Sequence, residues 1–128
     1  MSKIYKYQSD IRGNYNPLIP VRLKYLKTQN NYLALIDSGA SVSIFKTDVA
    51  EYLGIDIEKG SEIELRGAGG WLKGYIHNLS AEVAGKKFKC QVVFSRDYLV
   101  PLNIIGRRNF FENFRITFDE AKKSVILE

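Results

Sequence analysis

Asp37 is the acid whose surroundings best suit it for chemistry. It ends the apolar run Leu33-Ala34-Leu35-Ile36 and is followed by Ser38-Gly39-Ala40-Ser41. A carboxylate at the end of an apolar run is costly unless its charge is held. Gly39 lets backbone N–H groups come close to that carboxylate, and the Ser38 hydroxyl can lock the loop. Asp37 is thereby a candidate general acid or base. By itself the tripeptide is better read as an Asx-turn leaving a strand, so the rest of the chain has to decide.

The other reactive side chains narrow the chemistry. With one histidine, His77, and one cysteine, Cys90, the chain has no set for a zinc site and no intrachain disulfide. His77 falls in an alternating strand with no matching nucleophile and reads as a cross-strand or surface residue. Cys90 shares a face with Phe88, Val92 and Phe94, the pattern of a buried small hydrophobe. The glycine cluster Gly67-Ala68-Gly69-Gly70 is not a phosphate loop, since no helix start and no Lys-Ser/Thr pair follows it. No metal or cofactor is implied.

Elements that could hold Asp37 in place follow from the hydrophobic pattern. Residues 18–26 alternate around Arg22 and Lys24 as a half-buried strand. Residues 27–31 read as a turn, and 32–36 as a strand buried on both faces. A helix is expected over 48–53, with Thr47 as N-cap and Gly54 as its left-handed end. Residues 61–66 alternate again before the glycines. Tyr75, His77, Leu79, Ala81 and Val83 then share one strand face, and Ala84-Gly85-Lys86 turns the chain back. A second short helix is expected after Gly106, and a terminal hairpin joins 114–118 to 124–127. Six or more short strands with one or two helices predict a mostly β chain closed into a small barrel.

The chain has 128 residues, 45% hydrophobic and 26% charged, which suits one soluble domain across 1–128. Residues 1–16 are polar and read as a loosely held arm or an edge strand. The net charge of +5 is spread along the chain among 14 acids, so no nucleic-acid partner is assigned. The first residues are too polar for a signal peptide and no apolar run has the length of a membrane span. A cytoplasmic location without a membrane partner is the simplest expectation.

Three segments together resemble the retropepsins, the aspartic proteases of retroviruses and their cellular relatives. Leu35-Ile36-Asp37-Ser38-Gly39-Ala40-Ser41 is similar to their active-site loop. Arg66-Gly67-Ala68-Gly69-Gly70-Trp71-Leu72-Lys73 resembles their flap, a hairpin with a Gly-rich tip. Pro101-Leu102-Asn103-Ile104-Ile105-Gly106-Arg107 is similar to the wall beside the catalytic loop. The segments occur in the family's order. Two departures stand out: Ser41 occupies the place of an aspartate that pairs with the arginine at Arg107, and residues 45–60 form a longer insertion than in the viral enzymes.

The resemblance implies a role for each position. Asp37 would be the catalytic acid, Ser38 a hydroxyl bonding across to a partner subunit, and Gly39 the point of close backbone approach. Gly67, Ala68, Gly69, Gly70 and Trp71 would form the flap, with the Ala68 N–H reaching a substrate carbonyl. Trp71 is equally compatible with the core and with a place over the cleft. Arg66, Gly67 and Ala68 would contact substrate, and Ala40, Ser41, Leu102 and Ile104 would shape its pockets. The chain has one Asp-Ser-Gly, so a homodimer would supply the second carboxylate and a peptide or protein would be the substrate. The terminal hairpin is available for pairing across subunits. The alternative of a different class is a non-catalytic peptide-binding or dimerisation module of the same fold.

Overall fold

The computed structural model describes residues 2–67 and 70–128. In chain order its strands are β1 (Lys3–Lys6), β2 (Gln8–Ser9), β3 (Tyr15–Asn16), β4 (Leu18–Tyr25), β5 (Thr28–Ile36) and β6 (Ser43–Ile44). Helix α1 (Thr47–Leu53) follows, then β7 (Ser61–Gly67), β8 (Gly70–Val83), β9 (Lys86–Phe94), β10 (Asn103–Ile105), β11 (Ile116–Asp119) and β12 (Ser124–Leu127). The main sheet runs β4-β5-β10-β6-β9-β8-β7, and an additional β4–β8 pairing closes six of its strands into a barrel. Closure leaves β7 outside the ring, paired with the first half of the long β8 as a projecting hairpin. A separate sheet of order β1-β12-β11 adjoins the barrel.

Alternation dictates which side chains fill the barrel. Ile19, Val21 and Leu23 from β4 point inward, as do His77, Leu79, Ala81 and Val83 from β8 and Cys90, Val92 and Phe94 from β9. Phe110 packs with Phe88 and Phe114, ring centroids 5.8 and 5.4 Å away, and anchors the stretch after β10. His77 is a core residue rather than a surface one. Its Nε2–H donates to the Ile57 carbonyl at 2.9 Å, and its ring meets the Phe94 edge at 5.9 Å.

Several local expectations change in the structure. Residues 28–31 are strand, because the turn is only Leu26-Lys27. Leu26 takes φ 54°, which suits a tight two-residue hairpin, and Tyr25 pairs directly with Thr28. Nor is 32–36 buried on both faces: Ala34 and Ile36 face the core, whereas Leu33 is 46% exposed. The helix begins one residue early, with Lys46 as N-cap and no side-chain cap bond, so Thr47 is its first residue. Gly54 ends it as expected, at φ 77°, with its N–H reaching Ala50 and Glu51 carbonyls. After Gly106 a turn leads only to a 3-10 segment, Phe111–Asn113. The left-handed Asn109, φ 66°, interrupts any longer helix there. Lys3–Lys6 is an edge strand rather than a loose arm, bonded along its length to Ser124–Leu127.

Cys90 gives a test of this packing. Burial, against a smaller opposing pull from Ser43, pushes its thiol from 9.0 up to about 11. A thiol whose folded pKa is raised contributes stability that is intact below the unfolded value and is lost as pH rises through the folded one. Alkylation by iodoacetamide at pH 8 should therefore be negligible in the folded protein and fast in denaturant. The loss of stability between pH 9.0 and about 11 should be smaller in Cys90→Ala than in wild type. Equal alkylation rates with and without denaturant would refute the buried assignment.

Candidate active site

Asp37 sits just past the end of β5, where two chain segments cross. Strand β10 runs parallel to β5, with Ile105 opposite Ile36, and antiparallel to β6, with Ile104 opposite Ile44. The loop from 37 to 42 therefore has to pass over the end of β10. Its backbone is fastened there on both sides. The Asp37 N–H donates to the Ile105 carbonyl at 3.0 Å, while Arg107 and Arg108 donate to the Ala40 and Ser41 carbonyls at 2.9 and 3.0 Å. Gly106 fits under Val42 so closely that an added Cβ would lie 2.7 Å from the Val42 nitrogen. The Gly106 N–H donates to the buried Ser43 hydroxyl at 3.1 Å. Such a crossing has little freedom, so the backbone position from which the acid projects is set by these bonds.

The Asp37 carboxylate is half-buried and accepts the Gly39 N–H at Oδ1, 2.9 Å away. An added Cβ on Gly39 would stand 3.2 Å from that oxygen, which is the physical reason for glycine here. Ser38, Gly39 and Ser41 are exposed and Ala40 is half-buried. Leu102 and Ile104 are half-buried on the β10 side of the crossing. Arg107 is exposed, and among the described residues its tie to the loop is the backbone bond to Ala40, not an ion pair. Asp119, which lacks a following Ser-Gly, lies in β11 and accepts the Lys122 N–H.

Strands β7 and β8 form a two-stranded hairpin in which Arg66 faces Trp71 and Gly67 faces Gly70. Arg66, Gly67, Gly70 and Trp71 are exposed, and the Arg66 guanidinium lies over the Trp71 ring at 5.8 Å. Trp71 is thus not a core residue. Of the expected tip, Gly67 and Ala68, the second lies outside the described residues, as does the flanking Gly69. Gly67, Gly70 and Leu72 line a groove of about 670 Å³ with Asp97, Tyr98, Leu99, Val100 and Pro101. Leu99 is 88% exposed, so the groove has an apolar wall open to solvent.

Tyr98 lines the groove and bonds to the strand beside the acid loop, and sequence reasoning missed it. Its hydroxyl donates to the Leu102 carbonyl at 2.6 Å. Burial, and after it the charge of Asp37, raises its pKa. The wall is also tied to the hairpin: the Lys73 N–H donates to Asp97 at 3.2 Å, and the Ser95 hydroxyl donates to the Lys73 carbonyl at 2.6 Å. Asn103 was overlooked too. Buried, it accepts the Lys46 N–H at 2.9 Å and donates to the Leu33 carbonyl at 3.1 Å, joining three segments beneath the site. An asparagine inside an apolar run was the available signal, since such a side chain must find partners. Nothing in the spacing marks Tyr98.

A closed barrel, a crossed loop bearing one carboxylate and a projecting hairpin make up an acid-protease type of fold. Residues 21–107 match the Aspartyl protease family, and the chain belongs to it. A retropepsin-like aspartic protease from Rickettsia conorii superposes with a TM-score of 0.68 at 22% identity, covering 99% of this chain and 98% of that one. The EIAV protease complexed with the inhibitor HBY-793 superposes with a TM-score of 0.58 at 21% identity, covering 76% and 86%. No curated protein matches the chain in sequence.

Proposed function

We propose that the chain is one subunit of a homodimeric aspartic endopeptidase in which Asp37 from each of two copies forms the catalytic pair. The observation that carries this is the single carboxylate held at a rigid backbone crossing in the barrel of an aspartyl protease family member. Peptide hydrolysis needs one group to take a proton from water and another to give one to the carbonyl. Two close carboxylates cannot both ionise, so a pair shares one proton and offers both functions. The ionised Asp37 removes a proton from water as its oxygen bonds to the peptide carbon. The protonated Asp37 of the other subunit gives its proton to the carbonyl oxygen. Collapse of the resulting diol breaks the C–N bond, and the nitrogen leaves with a proton returned through the pair.

Within this reading Ser38 supports the pair, and Gly39 permits close approach of the scissile peptide. Ala40, Ser41, Leu102 and Ile104 border the substrate. Arg66, Gly67 and Ala68, with Gly69, Gly70 and Trp71, cover it from above. The groove's apolar wall suits apolar peptide side chains. No metal or cofactor takes part. Incubating the purified protein with a mixed peptide library at acidic and neutral pH, read by mass spectrometry, tests this. Internal cleavages are expected, blocked by a pepstatin-type transition-state mimic and untouched by chelators. Peptides bound but left whole at every pH would instead identify a peptide-binding module.

A further inference from the structure

The basic residues are scattered along the sequence, but closure of the barrel gathers four of them on one outer face. Lys24 on β4 stands opposite Ser80 on β8, and Ser80 stands opposite Lys89 on β9. In the next row Arg22 stands opposite Glu82, and Glu82 opposite Lys87. Residues opposite one another on neighbouring strands share a face, so the two rows lie side by side. Gln29 and Asn31 of β5 extend the rows, opposite Lys24 and Arg22. Arg22, Lys24, Lys87 and Lys89 are exposed, while Ser80 and Glu82 are half-buried. The two rows thus carry four cations and one acid.

Little within the chain neutralises these cations. Glu82 lies 3.5 Å from the Arg22 guanidinium, and the Lys89 ammonium donates to the Ser80 hydroxyl at 3.3 Å. Among the described residues Lys24, Lys87 and Lys89 have no ion-pair partner. The surface between them is hollowed. One concavity of about 640 Å³ is bordered by Lys24, Asn78, Ser80 and Lys89, and another of about 360 Å³ by Arg22, Lys24, Ser80, Glu82 and Lys87. Lys24 and Ser80 border both, so the two hollows adjoin. The strands beneath are already paired on both sides, β4 between β5 and β8, and β8 between β4 and β9. A ligand here meets no free backbone edge and is selected by side chains alone.

We infer that this face docks an extended acidic segment of a partner protein, with one carboxylate in the Lys24–Ser80–Lys89 row and another beside Arg22 and Lys87. Charge selects the sign of the ligand, and spacing selects its form. Alternate residues of a strand are about 6.8 Å apart, which separates the two rows. Side chains two positions apart on an extended peptide repeat at the same distance, so acids with one residue between them meet both rows. A single-stranded nucleic acid needs successive rings on which to stack its bases. Tyr25, half-buried, is the one aromatic residue bordering the two hollows. The face is also remote from the acid loop. Gln29, opposite Lys24, comes eight residues before Asp37, roughly 27 Å of extended chain. Docking here leaves Asp37 open, and the inference stands whether or not the protein cleaves what it binds.

Fluorescence anisotropy with a labelled peptide of alternating glutamate and glycine tests it. Saturable binding is expected, weakening as salt is raised. Lys24→Glu and Lys89→Glu should each weaken binding by about tenfold, with circular dichroism unchanged. Glu82→Gln should tighten it about threefold, because the one acid in the two rows is removed. Misfolding cannot produce that gain. Lys122→Glu, between β11 and β12, changes the net charge as much as Lys24→Glu does and should leave binding as it is. Equal losses in Lys122→Glu and Lys24→Glu would show attraction by net charge alone and overturn the docking face. A wild-type protein that does not bind the peptide would overturn it too, as would one that binds a single-stranded oligonucleotide more tightly through the same lysines. Each of those outcomes leaves the reading of Asp37 as a catalytic acid where it stands.

Discussion

Asp37→Asn should abolish peptide hydrolysis while leaving fold and pairing intact. The amide is nearly isosteric and can still accept the Gly39 N–H. It can neither take a proton from water nor share one, so kcat should fall by at least a factor on the order of 10²–10⁴. Mixing separates a shared site from one complete in each chain. When equal amounts of wild type and variant exchange subunits freely, about a quarter of the dimers are fully wild type. Activity should then be about half of what the same wild-type protein gives without the variant. No loss on mixing, with exchange confirmed by a mass-tagged subunit, would rule out the two-chain pair.

Gly106→Ala should be among the most damaging single-methyl substitutions in the chain. The added carbon would meet the Val42 carbonyl carbon at 2.5 Å and the Val42 nitrogen at 2.7 Å, both backbone atoms that cannot rotate away. The crossing would have to open, separating Arg107 and Arg108 from the loop carbonyls. A cost of about 3 kcal/mol is expected, which for a domain of this size lowers Tm by roughly 10 °C. Activity should fall further than stability accounts for, because Asp37 rides on the displaced loop. Gly85→Ala is the control: its φ of 80° strains a side chain, but no atom lies within 4 Å of the added carbon. It should cost only about 1 kcal/mol. Equal melting temperatures for the two variants would contradict the packing at Gly106.

The contrast between these glycines shows what could be read in the sequence and what could not. Resemblance set Ile104-Ile105-Gly106 beside the acid loop, yet only the fold supplies the neighbour, since Val42 is 64 positions away. Strands β8 and β9 were legible because alternation over many residues outweighs any one exception. The run at 32–36 misled because its length and apolarity are those of a strand covered on both faces, whereas Leu33 stays exposed. Residues 28–31 misled in the opposite sense: four polar residues look like a loop, but the hairpin register carries them into β5 beyond the core. Asp37 was singled out through local chemistry and resemblance. Tyr98 was not, because its place in the groove and its bond to Leu102 are made by the fold.

The pairing of β1 with β12 also bears on when the molecule can act. Lys3 lies opposite Leu127 and Asp37 bonds to Ile105, so the ends of the chain and the base of the acid loop are joined by contacts very distant in sequence. Such contacts form late and slowly, since chain must be closed over long loops before they repay it. During synthesis at about 5–20 residues per second, Asp37 emerges several seconds before Ile105 can accept its N–H. Throughout that interval the carboxylate is an ordinary solvated acid on an unstructured segment. Ordering of the acid loop thus comes with closure of the barrel, and a half-made chain offers its neighbours no oriented acid.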